Sequence, residues 1–182
     1  MRWQEAGFSL LEVIVVIALV LITCTVAVIQ MRTTVTMLDA DKTSNLVVSQ
    51  LAYARQLAVD ERRNMLVEFL QNNEIKVTRQ DNGGGTTLMA DVALPSGYIF
   101  GLPTGVGDTP DGFGNAHPVY FNNTTSGTFL GDGTFVDASG VLLSGTIFTI
   151  SFGNGTARAI TLGGSTGRVK QYWLQGTTWV VR

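Results

Sequence analysis

The side chains that carry most enzyme chemistry are scarce in this chain. His117 is the sole histidine and Cys24 the sole cysteine of 182 residues. Cys24 lies in an apolar run and His117 precedes Pro118, so no nucleophile–base pair and no Cys/His metal cluster can be assembled. The glycine stretches "DNGGG" and "GDGTF" lack the Gly-Lys-Ser/Thr of a phosphate loop. Carboxylates at Asp108, Asp111, Asp132 and Asp137 are oxygen ligands of the kind calcium takes, but their spacing is not that of an EF-hand, and Asp-Gly pairs are ordinary turn formers. No catalytic residue, metal or cofactor is expected. Two charged features remain. Glu12 sits in an otherwise oily run. Four basic residues, Arg158, Arg168, Lys170 and Arg182, close a chain whose charges between Arg79 and Arg158 are all acidic.

The elements that must hold these residues follow from composition and period. Hydrophobic residues make up 45% of the chain and charged residues only 14%, and the apolar excess lies in the first thirty positions. From Val13 to Met31 no residue is charged. At about 1.5 Å of rise per residue this run reaches roughly 30 Å, one hydrocarbon thickness. It reads as a single membrane span. Between Gly7 and Gly83 there is neither glycine nor proline, so one helix is expected from Phe8 to Arg62. Its second half carries Val47, Leu51, Ala54 and Ala58 at helical spacing, a stripe to be buried against a sheet. After "ERRN" the period changes to two. Met65–Leu70 and Glu74–Arg79 read as a hairpin, "TTLMADVALPSGYIFG" as one or two strands, and "VYF", "TIFTISF", "ARAITL", "GRVKQYWL" and "TWVVR" as later strands. Residues 101–118, rich in glycine and proline, read as a long surface loop.

The residues "GFSLLEVIVV", Gly7 to Val16, resemble the processing motif of type IV prepilins and type II secretion pseudopilins. The resemblance implies that a prepilin peptidase cuts after Gly7 and methylates the new amino terminus at Phe8. It also implies that Glu12 attracts the amino terminus of a neighbouring subunit during filament assembly. An acidic side chain inside a bilayer costs about 2.5–3.5 kcal/mol on insertion scales, so pairing it with an incoming amine turns a penalty into a docking force. A cleaved secretory signal fits less well, because the run is long and no small-residue cleavage site follows it. A plain signal anchor explains the span but neither Gly7 nor Glu12.

The tail, "FLGDGTFVDASG" followed by "TIFTISFGNGTARAITLGGSTGRVKQYW", is similar to the end of H-type minor pseudopilins and FimT-type minor pilins, whose Gly-Arg motif is matched by Gly167 and Arg168. The resemblance implies an α+β, pilin-like fold: a long N-terminal transmembrane and amphipathic helix packed on an antiparallel β-sheet domain. On that resemblance residues 1–7 would be the leader, 8–31 the transmembrane half of the helix, 32–63 its amphipathic half, and 64–182 a β-rich periplasmic domain. The implied place is the bacterial inner membrane, single-pass. The implied partners are the prepilin peptidase and other major and minor pilins or pseudopilins of a type IV pilus or secretion pseudopilus. FimT-type pilins also take up DNA through basic residues of this motif. The alternative reading is therefore DNA binding by Arg168 and Lys170, joined by Arg158 and Arg182, with Tyr172, Trp173 and Trp179 as stacking groups.

Overall fold

Helix formers without a breaker give one continuous helix, and the chain turns to strands at Met65, well before its next glycine, Gly83. In the computed structural model, which describes residues 9–70, 73–153 and 155–181 and leaves aside the side chains of 28–30, 32 and 33, helix α1 spans Leu10–Glu61, 52 residues. The expected helix ended one residue later, at Arg62, which instead adopts a left-handed φ of 52° and breaks the helix. The chain divides into two units, the first ending at Leu38 and the second running from Asp39 to Arg182.

Of the first unit the structure describes the helix from Leu10, and its stretch to Ala27 is apolar on every side. Leu10–Ala27 has a mean hydropathy of 2.8 and none of it is buried. The helix is long and apolar enough to span a membrane. Its hydroxyls are turned onto its own backbone. Thr23 Oγ1 donates to the carbonyls of Leu19 (3.1 Å) and Val20 (2.9 Å), and Thr25 Oγ1 to Leu21 (2.8 Å). No polar hydrogen at these two residues is left to solvate where water is absent.

The second unit is an antiparallel β domain built on the rest of α1. The strands are β1 Met65–Leu70, β2 Glu74–Gln80, β3 Thr86–Ala93, β4 Tyr98–Phe100, β5 Val119–Tyr120 and β6 Ser126–Phe129. They continue with β7 Phe135–Val136, β8 Gly145–Ser151, β9 Ala157–Gly163, β10 Arg168–Gln175 and β11 Thr178–Val181. One sheet runs β3-β2-β1-β6-β7 and the other β11-β10-β9-β8-β4, with β5 also on β8. The first hairpin pairs Met65 with Arg79 and Leu70 with Glu74, as its alternation predicts. β6 and β7 were not read as strands: each is at most four residues long, and a glycine turn separates them.

Val47, Leu51, Ala54 and Ala58 are all fully buried, joined by Ala40 and Thr43. They share one core with Met65, Val67 and Ile75 of the first sheet and Ile147, Ile160 and Leu162 of the second. The second sheet has another core on its far face, made by Phe148, Ala159, Tyr172 and Trp179 with Leu102 and Val106. β8 and β9 are thus covered on both faces and read as near-continuous buried runs. What covers the far face is the stretch expected to be a surface loop. Residues 101–118 lie over it as a strap, with Thr109 buried and the Trp179 indole donating to the Gly107 carbonyl at 2.8 Å.

Two glycine turns close on α1. Arg55 Nε donates to the Gly133 carbonyl at 3.2 Å, and Gly167, at φ 61°, lies against the same guanidinium stem. A Cβ at Gly167 would overlap the Gly133 carbonyl oxygen and the Arg55 side chain. Glycine is required here by both conformation and space. Gly167→Ala is expected to destabilise the domain by about 2 kcal/mol or more, seen as a lower urea midpoint with an unchanged slope.

Candidate functional site

The prepilin-like motif falls at the start of α1. Gly7 and Phe8 lie outside the described residues, so the structure bears on Glu12 alone. Ser9 opens the helix: its carbonyl accepts the N–H groups of Glu12 (2.9 Å) and Val13 (3.2 Å). Ser9-x-x-Glu12 has the spacing of a capping box, a local signal that the sequence reading passed over. The Glu12 carboxylate is exposed and stands in the first turn, where the unsatisfied N–H groups of the helix favour negative charge. It is the single acid in an apolar surface that includes Val13, Val16 and Ile17.

The basic residues of the tail divide between two faces of the second sheet. β9 and β10 pair antiparallel with Lys170 opposite Thr161 and Trp173 opposite Arg158. Residues directly opposite share a face, so Arg168 and Lys170 lie together, as alternation predicts, while Arg158 lies on the other side. The structure therefore does not bring Arg158 to the other two. Arg182 lies outside the described residues.

Arg158 is buried, with its Nε 2.8 Å from Asp41 of α1 and its guanidinium 5.5 Å from the centre of the Trp173 ring. It joins sheet to helix. Lys170 Nζ is 2.6 Å from Asp111 of the strap. The same carboxylate accepts from Thr161 Oγ1 at 2.6 Å. Burial pushes the Asp111 carboxyl up, but hydrogen bonds from Lys170, Thr161 and Tyr172 together outweigh it and hold its pKa below the ordinary range. Its hydrogen bond to Asp111 in turn raises Lys170. Tyr172 and Trp179, read as stacking groups, are core residues of the far face. Arg168 alone of the described three is exposed and makes no ion pair with a described residue.

The remaining candidates hold turns. Asp108 accepts from the Thr109 and Gly114 amides, Asp132 from the Thr134 amide and hydroxyl, and Asp137 from the Ser139 and Val141 amides. Among the described residues no three His, Cys, Asp or Glu side chains converge as a metal would need. His117 stacks on Tyr120 with ring centres 5.9 Å apart and lines an apolar cavity of about 320 Å³ with Phe69, Phe100 and Pro118. No family model, no curated protein and no solved structure matches the chain.

Two measurements follow from this geometry. Arg158→Gln leaves Asp41 without its cation and is expected to cost about 2–3 kcal/mol in the unfolding equilibrium, whereas Arg168→Gln stays within about 0.5 kcal/mol. Asp111→Asn reports the second pair. A folded-state carboxyl pKa below the unfolded one means a contribution present above about pH 4 and lost as pH falls through the folded value. The raised Lys170 contributes below about pH 10 and loses its part as pH rises through its folded value. The stability difference between wild type and Asp111→Asn should accordingly be flat from about pH 5 to pH 9 and shrink on either side.

Proposed function

We propose that the chain is a minor pilin or pseudopilin of the FimT/H-type group, a structural subunit of a type IV pilus or a type II secretion pseudopilus. The observation that carries this reading is the exposed apolar surface of Leu10–Ala27, with one carboxylate in its first turn. A helix apolar all round has two stable surroundings, lipid or other apolar helices. In this reading it uses both in turn. The subunit waits in the inner membrane with its β domain on the periplasmic side. After cleavage at Gly7 and methylation of Phe8, the helix enters a bundle of like helices. Glu12 then meets the amine of a neighbouring Phe8, and the pairing offsets the cost of moving a charge through hydrocarbon. The β domain faces outward and chooses partners among other major and minor subunits.

The DNA reading has less support from the same geometry. Phosphate contacts dominate such affinity, and a site needs several free cations. Arg158 and Lys170 are engaged with Asp41 and Asp111, which leaves Arg168 as the exposed cation of the described three. These placements favour the structural subunit.

The test is the mature amino terminus. The full chain, produced with a prepilin peptidase and purified from membranes, is expected by intact mass and terminal sequencing to begin at N-methylated Phe8. Gly7→Val should retain residues 1–7. Glu12→Leu should be cut normally yet stay in the membrane fraction instead of the sheared filament. A chain that still begins at Met1 beside an active peptidase would sink the proposal.

A further inference from the structure

The turns of the β unit gather at two ends, and the ends differ. Along α1 the contacts with the sheets run from Arg55, beside Gly133 and Gly167, back to Asp41, which receives Arg158. β8 and β9 continue past that pair. Thr149 stands opposite Arg158, and Phe152 lies further along the same strand direction, about 10 Å on at the strand rise. The Phe152 N–H donates to the Gly97 carbonyl (2.9 Å) and the Ser151 N–H to the Thr156 carbonyl (3.1 Å), so the 95–97 and 152–156 turns lie side by side. β10 also finishes at this end, in the turn 176–177, because its Trp173 stands opposite Arg158. Asp39 opens the β unit, so the chain enters the unit here.

The far end is charged and packed, and the entry end is neither. Arg62, Asp81, Asp132 and Arg168 stand in or beside the far turns, where Gly131, Gly133 and Gly167 close on α1. The turns 95–97, 152–156 and 176–177 hold no Asp, Glu, Lys or Arg. A Cβ at Gly97, Gly153, Gly155 or Gly176 would meet nothing within 4 Å, so no described atom packs on the turns there. Phe152 projects from among them with 73% of its surface exposed, more than any other exposed large apolar residue described in the β unit.

We propose that the entry end of the β unit rests on a lipid bilayer, with Phe152 as a shallow anchor in the headgroup layer. The anchor presupposes that Leu10–Ala27 crosses a membrane, as in the function proposed above, and needs no filament. Residues 28–38, about 17 Å as helix, tether that stretch to Asp39. The headgroup layer takes up about 5–7 Å of this length, and the turn reaches back about 10 Å of the remainder. The tether is therefore short enough for lipid to be met. Uncharged turns bring no ion to desolvate at that surface, and one aromatic ring between glycines is an interfacial anchor rather than the area a protein partner needs. The anchor is shallow because open turns carry peptide groups that hydrocarbon cannot satisfy. The ring enters while the backbone stays among headgroups and water.

The full chain carrying Cys24→Ser is reconstituted in phosphatidylcholine vesicles. A polarity-sensitive fluorophore is attached at Gly153→Cys, beside an intact Phe152, or at Asn82→Cys in the far turn. Flotation with the vesicles reports the span by itself. Nitroxide carried on the lipid headgroups should quench the label at 153 and leave the label at 82 bright. Phe152→Asp should lower the docked population about tenfold, and the quenching at 153 with it, whereas Phe152→Trp should keep it. The exposed ring supports no core, so both variants fold. A chain that floats but is quenched equally at both positions, or at 153 regardless of Phe152→Asp, overturns the anchor and leaves the span standing. A chain that does not float overturns both. A label at 153 shielded from aqueous iodide only when the protein-to-lipid ratio is raised assigns Phe152 to a second copy of the chain, and overturns the anchor too.

Discussion

The domain depends on one narrow surface, the face of α1 from Ala40 to Ala58. Its buried residues are small or branched, with Ala40, Ser44, Ala54 and Ala58 among them. Small side chains let two sheets approach the same helix, and Leu51 with Val47 fills the space between them. A bulky residue at Ala54 or Ala58 would push both sheets at once, because they share that core. The glycine turns at Gly133 and Gly167 close over Arg55 on the same helix, so the helix, the β6–β7 turn and the β9–β10 turn meet at one side chain. Gly164 joins the sheets directly: its carbonyl accepts the Phe135 N–H at 2.8 Å.

Charge is organised across the fold rather than along it. The chain runs acidic through its middle and basic at its end, and folding brings the two stretches together. The acidic strap lies over the last strands, where Asp111 receives Lys170, Thr161 and Tyr172. On the opposite face Asp41 of α1 receives Arg158. Each pair ties a different element to the second sheet, one the strap and one the helix. A partly buried pair of this kind gains from low dielectric and from the extra hydrogen bonds around it. Arg79 makes a third tie, reaching both Glu61 at the end of α1 and Asp81 after β2. Surface charge left over is small, which limits what the domain attracts from a distance.

The first part of α1 has a different surface, long and apolar enough to span a membrane. Its threonines bond their own helix, its surface is apolar all round, and its one acid stands in the first turn. One helix thus carries two kinds of surface: an apolar one whose hydroxyls bond their own backbone, and further on a one-sided stripe, as packing on a sheet requires. No glycine or proline interrupts the passage from one to the other.

Local and periodic features were legible in the sequence. The absence of helix breakers allowed one long helix, the change of period after "ERRN" set its end to within a residue, and period-two alternation set the β1–β2 register. The stripe Val47, Leu51, Ala54, Ala58 is buried as its spacing requires. These follow from chemistry acting over a few residues, which a linear reading captures. The strap, the strands β6 and β7, and the partners of the basic residues were not legible. A glycine-rich stretch such as 101–118 has no period, and its place over Phe148 and Tyr172 exists only once the second sheet has formed. Arg158 and Lys170, twelve positions apart, look equivalent in sequence. Pairing β9 with β10 sends them to opposite faces, and acids 117 and 59 positions away receive them. Tertiary structure decided that much, because which face a strand residue occupies depends on the register of its neighbour, and register is a property of the packed sheet.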